Sequence, residues 1–365
     1  MVSTALRHSA EHLHADELAR LSEADQQAGA DLPPGWLRSP RSVRRFILGD
    51  DALGISRKFY GDDALVDRAI VTLLGRQGLM LVGEPGTAKS MLSELLAAAI
   101  SGDSTLTIQG TAGTTEDHIK YSWNYALLLA EGPTPRALVP SPLHQGMQAG
   151  KLVRFEEITR CPPEIQDVLV SLLSEKQMMI PELGEGGRLL ARPGFNLIAT
   201  ANLRDRGVHE MSAALKRRFN FETVRPIADS EFEVELVMRQ LQRELGEQAG
   251  KVAVERDVIT LLVTVFQELR QGSTREGTAI KAPEAVMSTA EAVSVAYAAA
   301  LEARYLGDGR LTAAELARQL LGVVFKDSQD DARRLRHYLD SVVRERARRD
   351  DHWKRFFDAS KGLWD

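Results

Sequence analysis

Apolar positions follow two regimes along the chain. From about Asp62 to Val224, short apolar runs alternate with stretches of helical spacing, and beyond about Pro226 only helical spacing remains. The first regime predicts an α/β unit and the second an all-helical one. Upstream, residues from about Ser3 to Asp25 read as a helix with Leu13, Leu18 and Leu21 as apolar positions. Gly29 to Pro40, with Pro33-Pro34-Gly35, reads as a linker.

Within the α/β stretch, Asp62-Asp63 precede a helix carrying Leu65, Val66, Ala69, Ile70, Leu73 and Leu74, and either acid suits its N-cap. Leu79-Met80-Leu81-Val82 is a short buried strand. The helix after it repeats Met91, Leu92, Leu95, Leu96 and Ala99 on one face. Thr105 to Ile108 predicts a second strand. Tyr121, Trp123 and Tyr125 alternate at period 2, which predicts a strand or hairpin, either projecting toward a substrate or neighbour or packed on one face. Lys151 to Phe155 is a further strand, and Pro162-Pro163 open a helix with Ile165, Val168, Leu169, Leu172 and Leu173. Met178–Ile180 and Arg188–Leu190 flank Gly184–Gly187 as a hairpin. Phe195 to Ala201 is another buried run, and Phe219 to Val224 closes the unit. In the helical part, Ser230/Glu233 and Thr312/Glu315 have the spacing of capping boxes.

Chemistry enters between the first strand and its helix. Gly83-Glu84-Pro85-Gly86-Thr87-Ala88-Lys89-Ser90 has the spacing of a phosphate-binding loop, with Ala88 where a glycine usually precedes the lysine. Its glycines let backbone N–H groups point at phosphate oxygens, and the helix N-terminus favours the same anion. Lys89 is placed to reach the β- and γ-phosphates and Ser90 to ligate Mg²⁺. The expected nucleotide contacts are Gly83 through Ser90 together with Met91. The strand at Lys151 ends in Glu156-Glu157. One carboxylate there suits Mg²⁺ and the next suits a water to be activated, although Glu156 stands where aspartate is usual and Arg154 interrupts the apolar run. Asn202 follows the Phe195 run, at the carboxyl end of its strand, where ligands of open α/β sheets sit.

Other features carry less. His8 and His12 share a helical face, which reads as a solvated face because no third ligand is placed beside them. Eight arginines between Arg333 and Arg355 are mixed with acids, the pattern of an exposed charged helix. Phe356, Phe357 and Trp364 are apolar enough to dock on a partner or on the chain itself.

Composition narrows the class. In 365 residues, 44% are hydrophobic and 27% charged, so a globular chain of more than one folded unit is expected. The net charge of −5 supplies no global basic field, and nucleic acid is not the expected partner. The single cysteine, Cys161, permits no intrachain disulfide. With no leader-like or membrane-length apolar run, a cytoplasmic location and no membrane partner are expected.

Taken together, GEPGTAKS at Gly83–Ser90, FEEITRCPPEIQDVLVSLLSE at Phe155–Glu175, FNLIATANL at Phe195–Leu203 and ALKRRF at Ala214–Phe219 resemble the MoxR family of AAA+ ATPases, over about Asp62 to Tyr305. The resemblance implies an α/β P-loop AAA+ domain of αβα layering with a parallel five-stranded sheet, followed by an all-α lid. The expected division is an N-terminal extension and linker at 1–55, the ATPase core at 56–226, the lid at 227–345 and a charged, aromatic tail at 346–365. It also implies a homo-hexameric ring binding ATP and Mg²⁺ between subunits. In that scheme Glu157 is the catalytic glutamate, Asn202 the sensor 1 residue, and Arg218, or else Arg217, an arginine finger reaching a neighbour. Ser90 and Glu156 hold the metal, and Lys281 in Ala279–Glu284 stands where a sensor 2 arginine is usual. The Tyr121–Tyr125 and Gly184–Gly187 regions resemble the family's two inserts. Members are thought to remodel protein complexes, commonly beside a partner with a von Willebrand A domain. The expected function is therefore ATP-driven remodelling of a protein client. Two alternatives stand beside it: a nucleotide-gated assembly scaffold with little turnover, and a restriction-type NTPase stimulated by nucleic acid.

Overall fold

The computed structural model of the chain describes residues 8–202, 208–284, 287–324 and 328–362. The expected N-terminal helix is broken at His14 (φ −118°, ψ 26°) into a single turn, Ala10–Leu13, and helix α1, Ala15–Gln27; Ser3 to Arg7 lie outside the described residues. Helix α2 follows at Pro40–Leu48, and helix α3 at Asp63–Leu74 starts where Asp62 accepts the Ala64 N–H at 3.0 Å. Leu18, Leu21, Trp36, Val43, Phe46 and Ile47 are buried in one cluster with α3. The linker is tied down as well. Asp25 accepts from the Ser39 N–H and hydroxyl and from Ser42, while Arg38 donates to the Leu18 and Ala99 carbonyls.

Five parallel strands form the sheet: β1 Gly78–Val82, β2 Thr107–Gln109, β3 Leu152–Glu156, β4 Asn196–Ala201 and β5 Phe219–Thr223, in the order β2-β3-β4-β1-β5. Helix α4, Lys89–Ser101, follows β1; α5, Pro142–Ala149, precedes β3, and α6, Pro163–Glu175, follows it. The sheet is covered on both faces, which is why its strands read as continuous apolar runs. Period-2 alternation splits them cleanly. Leu79, Leu81, Leu152 and Ile198 face the cluster of α1–α4, whereas Met80, Val82, Val153, Phe155, Leu197 and Ala199 face the cluster holding α5 and α6.

Two antiparallel ribbons project from this layer. Tyr121–Trp123 pairs with Leu138–Pro140, but Tyr125 does not continue the strand. Asn124 caps a short helix, Tyr125–Glu131, by accepting from the Leu127 N–H at 3.3 Å, and the leucine run favours that helix. Tyr125 (70% exposed) and Leu129 (89%) stand out from it. Gln177–Met179 pairs with Arg188–Leu190 as the expected hairpin, and Glu182 in its turn accepts from the Tyr121 hydroxyl at 2.8 Å.

The chain divides into two units, Met1–Glu84 with Ala88–Val224, and Pro85–Thr87 with Arg225–Asp365. The second contains α7 Ser230–Leu245, α8 Arg256–Gln271, α9 Thr289–Tyr305, α10 Ala313–Val324, α11 Gln329–Tyr338 and α12 Asp351–Lys361. Asp229, not Ser230, caps α7. Glu233, expected in a capping box, is instead fully buried and accepts from Gln267, Arg270 and Thr289, because satisfying a buried carboxylate outweighs one cap. Thr312 and Glu315 do cap α10, with the Thr312 N–H donating to Glu315 at 2.9 Å. Tyr338 is buried against Glu268, whose carboxylate also accepts from Nη1 and Nη2 of Arg346; burial and that carboxylate push the tyrosine well above its usual pKa.

Phe356 is completely buried among Leu335, Tyr338 and Leu339 and Phe357 packs on the same core, so these aromatics dock on the chain itself; Trp364 lies outside the described residues. Three arginines of the charged stretch pair with acids three residues away, Arg333 with Asp330, Arg334 with Asp331 and Arg348 with Glu345, and Arg346 pairs with Glu268 and Glu276. Among the described residues no helix is long and apolar enough to cross a membrane. Nor do they hold a cluster of three or more His, Cys, Asp or Glu placed for a metal, and the His8 and His12 rings stack on each other at 4.7 Å.

Candidate functional site: a nucleotide pocket at the carboxyl edge of the sheet

Because β1, β3 and β4 are parallel and adjacent, their carboxyl ends deliver Gly83, Glu156-Glu157 and Asn202 to one edge. The loop folds onto its own lysine there. The Lys89 ammonium donates to the Gly83 and Glu84 carbonyls at 3.1 and 2.7 Å, and the residue is buried. Ala88, the N-cap of α4, sits in the left-handed region at φ 67° and ψ 21°. That conformation costs a residue with a Cβ roughly 1–2 kcal/mol, which explains why glycine is usual here. Ala88→Gly is accordingly expected to raise stability by up to about 1 kcal/mol, net of the entropy glycine adds to the unfolded chain. A urea melt of the two proteins measures it. Met91 packs on the α1–α4 cluster, so it supports the loop from beneath.

The acidic pair is held by a dense set of hydroxyls. Ser90 Oγ donates to Glu156 Oε2 at 2.7 Å, and Thr200 Oγ1 donates to the same oxygen at 2.7 Å. Ser93 Oγ donates to Oε1 at 2.7 Å, and Arg154 Nη2 meets Oε1 at 2.8 Å. Burial opposes ionisation of Glu156, but the Arg154 charge and the three hydroxyls outweigh it and lower its pKa. Arg154, Glu156 and Thr200 all lie on the α4 face of the sheet, as their register with Leu152 and Ile198 requires.

Glu157 leaves the strand in the left-handed region (φ 57°, ψ 44°), its N–H donating to Thr200 Oγ1 at 3.0 Å. The turn sends its carboxylate toward Asn202, whose Nδ2 donates to Oε1 at 2.8 Å, with Arg160 Nε 3.6 Å from Oε2. Gly110, just after β2, makes the close approach possible. Its N–H donates to the Glu156 carbonyl at 2.7 Å, and a Cβ there would lie 2.3 Å from the Glu157 carbonyl oxygen.

Arg217 and Arg218 are not brought to this edge of the sheet. Both precede β5 at the amino end of the sheet, where the Arg218 carbonyl accepts from the Gly78 N–H at 2.8 Å. Five residues of β1 separate that point from the loop, roughly 16 Å. Arg218 Nε donates to Ser174 Oγ at 2.8 Å, and Arg217 is exposed. Lys281 is exposed in the second unit, beside the bridge between Ser273 and Ala279. Leu203, the last residue of the Phe195 motif, lies outside the described residues. Sequence reasoning missed Ser93, Thr200 and Gly110, and it read Arg154 as an interruption. The signal for three of them was spacing: Arg154 two before Glu156 and Thr200 two before Asn202 on strands, and Ser93 one helical turn after Ser90.

Residues 78–219 match the AAA domain of the dynein-related subfamily, and 231–363 match the YehL-like AAA+ ATPase C-terminal domain. The YehL protein of Escherichia coli (strain K12) is 52% identical over 352 residues, which is 96% of this chain and 96% of that protein. This chain belongs to the YehL family of AAA+ ATPases. The YehL family is MoxR-like, as the resemblance implied, though more distantly related to MoxR itself. Chaperone MoxR1 of Mycobacterium tuberculosis (strain ATCC 25618 / H37Rv) is 28% identical over 187 residues, 51% of this chain and 46% of that protein. Crystalline NtrX from Brucella abortus aligns with a TM-score of 0.49 at 14% identity, covering 82% of this chain and 62% of that one. An AAA domain on a five-stranded parallel sheet with a helical C-terminal domain is thus the architecture of this YehL-family chain, and the AAA domain implies nucleotide binding.

The donor set suits a magnesium nucleotide. The carbonyls that now hold Lys89 are acceptors a phosphate replaces, and the hydroxyl–carboxylate contact of Ser90 and Glu156 has the chemistry of a hydrated Mg²⁺ site.

Proposed function

We propose that the chain is a Mg²⁺-dependent ATPase whose turnover drives remodelling or maturation of a protein complex, as a cytoplasmic ring of identical subunits, six by family resemblance. The observation that carries this reading is the continuous array Ser90–Glu156–Thr200–Glu157–Asn202 at the edge where the phosphate loop ends. Lys89 would bind the β- and γ-phosphates, and Ser90 with Glu156 would hold Mg²⁺, which when bound supplies positive charge against the phosphates. Glu157 would take a proton from the attacking water at its carboxylate while Asn202 fixes that carboxylate and the water. By the family resemblance Lys281 would serve as the sensor 2 cation, without the two-pronged geometry of arginine. The exposed Tyr125 and Leu129 of the first insert suit contact with a protein client, and a von Willebrand A domain protein is the partner class to test.

The test is steady-state phosphate release, with nucleotide binding followed separately. Lys89→Ala is expected to weaken ATP binding about 100-fold or more, since it removes a charge-assisted contact to two phosphates. Unchanged binding would reject the assignment of the pocket.

A second reading, the nucleotide-gated scaffold, has one observation in its favour: both oxygens of Glu156 are already engaged by protein donors, including an arginine. Phosphate release no higher in the wild type than in Glu157→Gln, with partner present, would select it.

A further inference from the structure

Arg154 stands where a strand leading to a metal-binding carboxylate is ordinarily apolar, yet its side chain is only 9% exposed. Its guanidinium is fully employed. Nε donates to Ser93 Oγ at 2.9 Å, Nη1 to the Ser104 carbonyl at 3.0 Å and Thr107 Oγ1 at 3.4 Å, and Nη2 to Glu156 Oε1 at 2.8 Å and the Ser90 carbonyl at 3.2 Å. One side chain therefore ties β3 to the start of α4 and to the segment before β2. Ser93 completes the arrangement: its hydroxyl accepts from Arg154, and of the two acceptors in reach of its single proton, Glu156 Oε1 at 2.7 Å is nearer and charged, while the Ser90 carbonyl lies at 2.9 Å.

We propose that Arg154 and Ser93 are positioning residues for the metal site: they hold Oε1 of Glu156 so that Oε2 is the oxygen presented beside Ser90. The inference rests on the proposed nucleotide site and deepens it. It also accounts for the glutamate. The carboxylate has to span from Arg154 and Ser93 on one side to Ser90 and Thr200 on the other. An aspartate, shorter by about 1.5 Å, reaches one side and forfeits the other. Arginine is suited to the task because its planar fork serves several acceptors at once in fixed geometry, which the point charge of lysine does not.

Second-sphere partners of this kind are worth about 10–100-fold in metal affinity. The readout is the affinity of the intact chain for N-methylanthraniloyl-ADP, by fluorescence, in Mg²⁺ and in EDTA; the ratio of the two isolates the metal's contribution. Arg154→Met and Ser93→Ala are expected to shrink that ratio by about 10-fold or more while leaving the EDTA affinity within about twofold, and Arg154→Lys to restore part of it. Glu156→Asp is expected to shrink it too, although it installs the residue usual in such motifs, and Arg154→Met with Glu156→Asp is expected to be no worse than either alone. Equal changes in both conditions, no change, or a larger ratio in Arg154→Met through relief of charge repulsion would each overturn the proposal. Should Arg154→Met fail to fold by circular dichroism, Ser93→Ala and Glu156→Asp decide by the same criteria. A wild-type chain with no nucleotide affinity, or no Mg²⁺ effect, removes the proposed site and this inference together. A wild-type Mg²⁺ effect that survives in the variants removes this inference alone.

Discussion

Replacing Arg218 by alanine is expected to lower ATP turnover by about 10³–10⁵-fold while leaving ATP binding nearly unchanged. The reason is positional. Arg218 sits at the amino end of β5, beside Gly78, whereas the phosphate loop lies at the carboxyl end of β1, five residues further along the sheet. No rotamer of an arginine covers that distance within one subunit, so a role at the γ-phosphate requires a second copy of the chain. The side chain is prepared for it. Phe219 is anchored in the core immediately after it, and Ser174 Oγ holds the Nε at 2.8 Å. Arg217, exposed just after the short helix Ala213–Lys216, lacks that support, and Arg217→Ala is expected to have the smaller effect. Phosphate release from Arg218→Ala mixed with Glu157→Gln should recover part of the wild-type rate, since some interfaces then combine an intact glutamate with an intact arginine. Full activity of dilute, monomeric Arg218→Ala would contradict the scheme, and a larger loss in Arg217→Ala would move the role to that residue.

Glu157→Gln is the other large effect, an expected loss of about 10²–10⁴-fold in hydrolysis with nucleotide binding retained. Glutamine keeps the shape and the Asn202 contact, so the left-handed turn at 157 and the Thr200 hydrogen bond to its N–H stay in place. What disappears is the proton acceptor. Single-turnover ATP hydrolysis beside an equilibrium binding isotherm separates the two. A variant that loses binding in parallel with turnover would mean the residue shapes the pocket rather than activating water.

Much of this architecture was readable from residue order. The five apolar runs became the five strands, with β2 displaced to Thr107–Gln109 from the expected Thr105 to Ile108. Glycines, lysine and serine of the loop, the two carboxylates at the carboxyl end of β3 and the asparagine after β4 were legible because each depends on local spacing. Tyr125 was misplaced, since a period of two over three aromatics cannot outweigh an asparagine cap and a leucine run that favour a helix. Glu233 looked like a cap until Arg270 and Gln267, some 35 residues on, claimed it.

By itself, then, the sequence determined the order of elements, the phosphate loop and the identity of the acids at the strand ends, because all of these are written in contacts between residues near one another in the chain. Tertiary structure alone decided that Arg154 is a buried partner of Glu156 and not a break in the strand, and that Arg217 and Arg218 lie at the far edge of the sheet from the loop. The first depends on Ser93, 61 residues away, meeting a strand face; the second depends on which strand pairs with β1 and in what direction. Charge burial and strand order are both set by partners distant in sequence, and no local spacing encodes them.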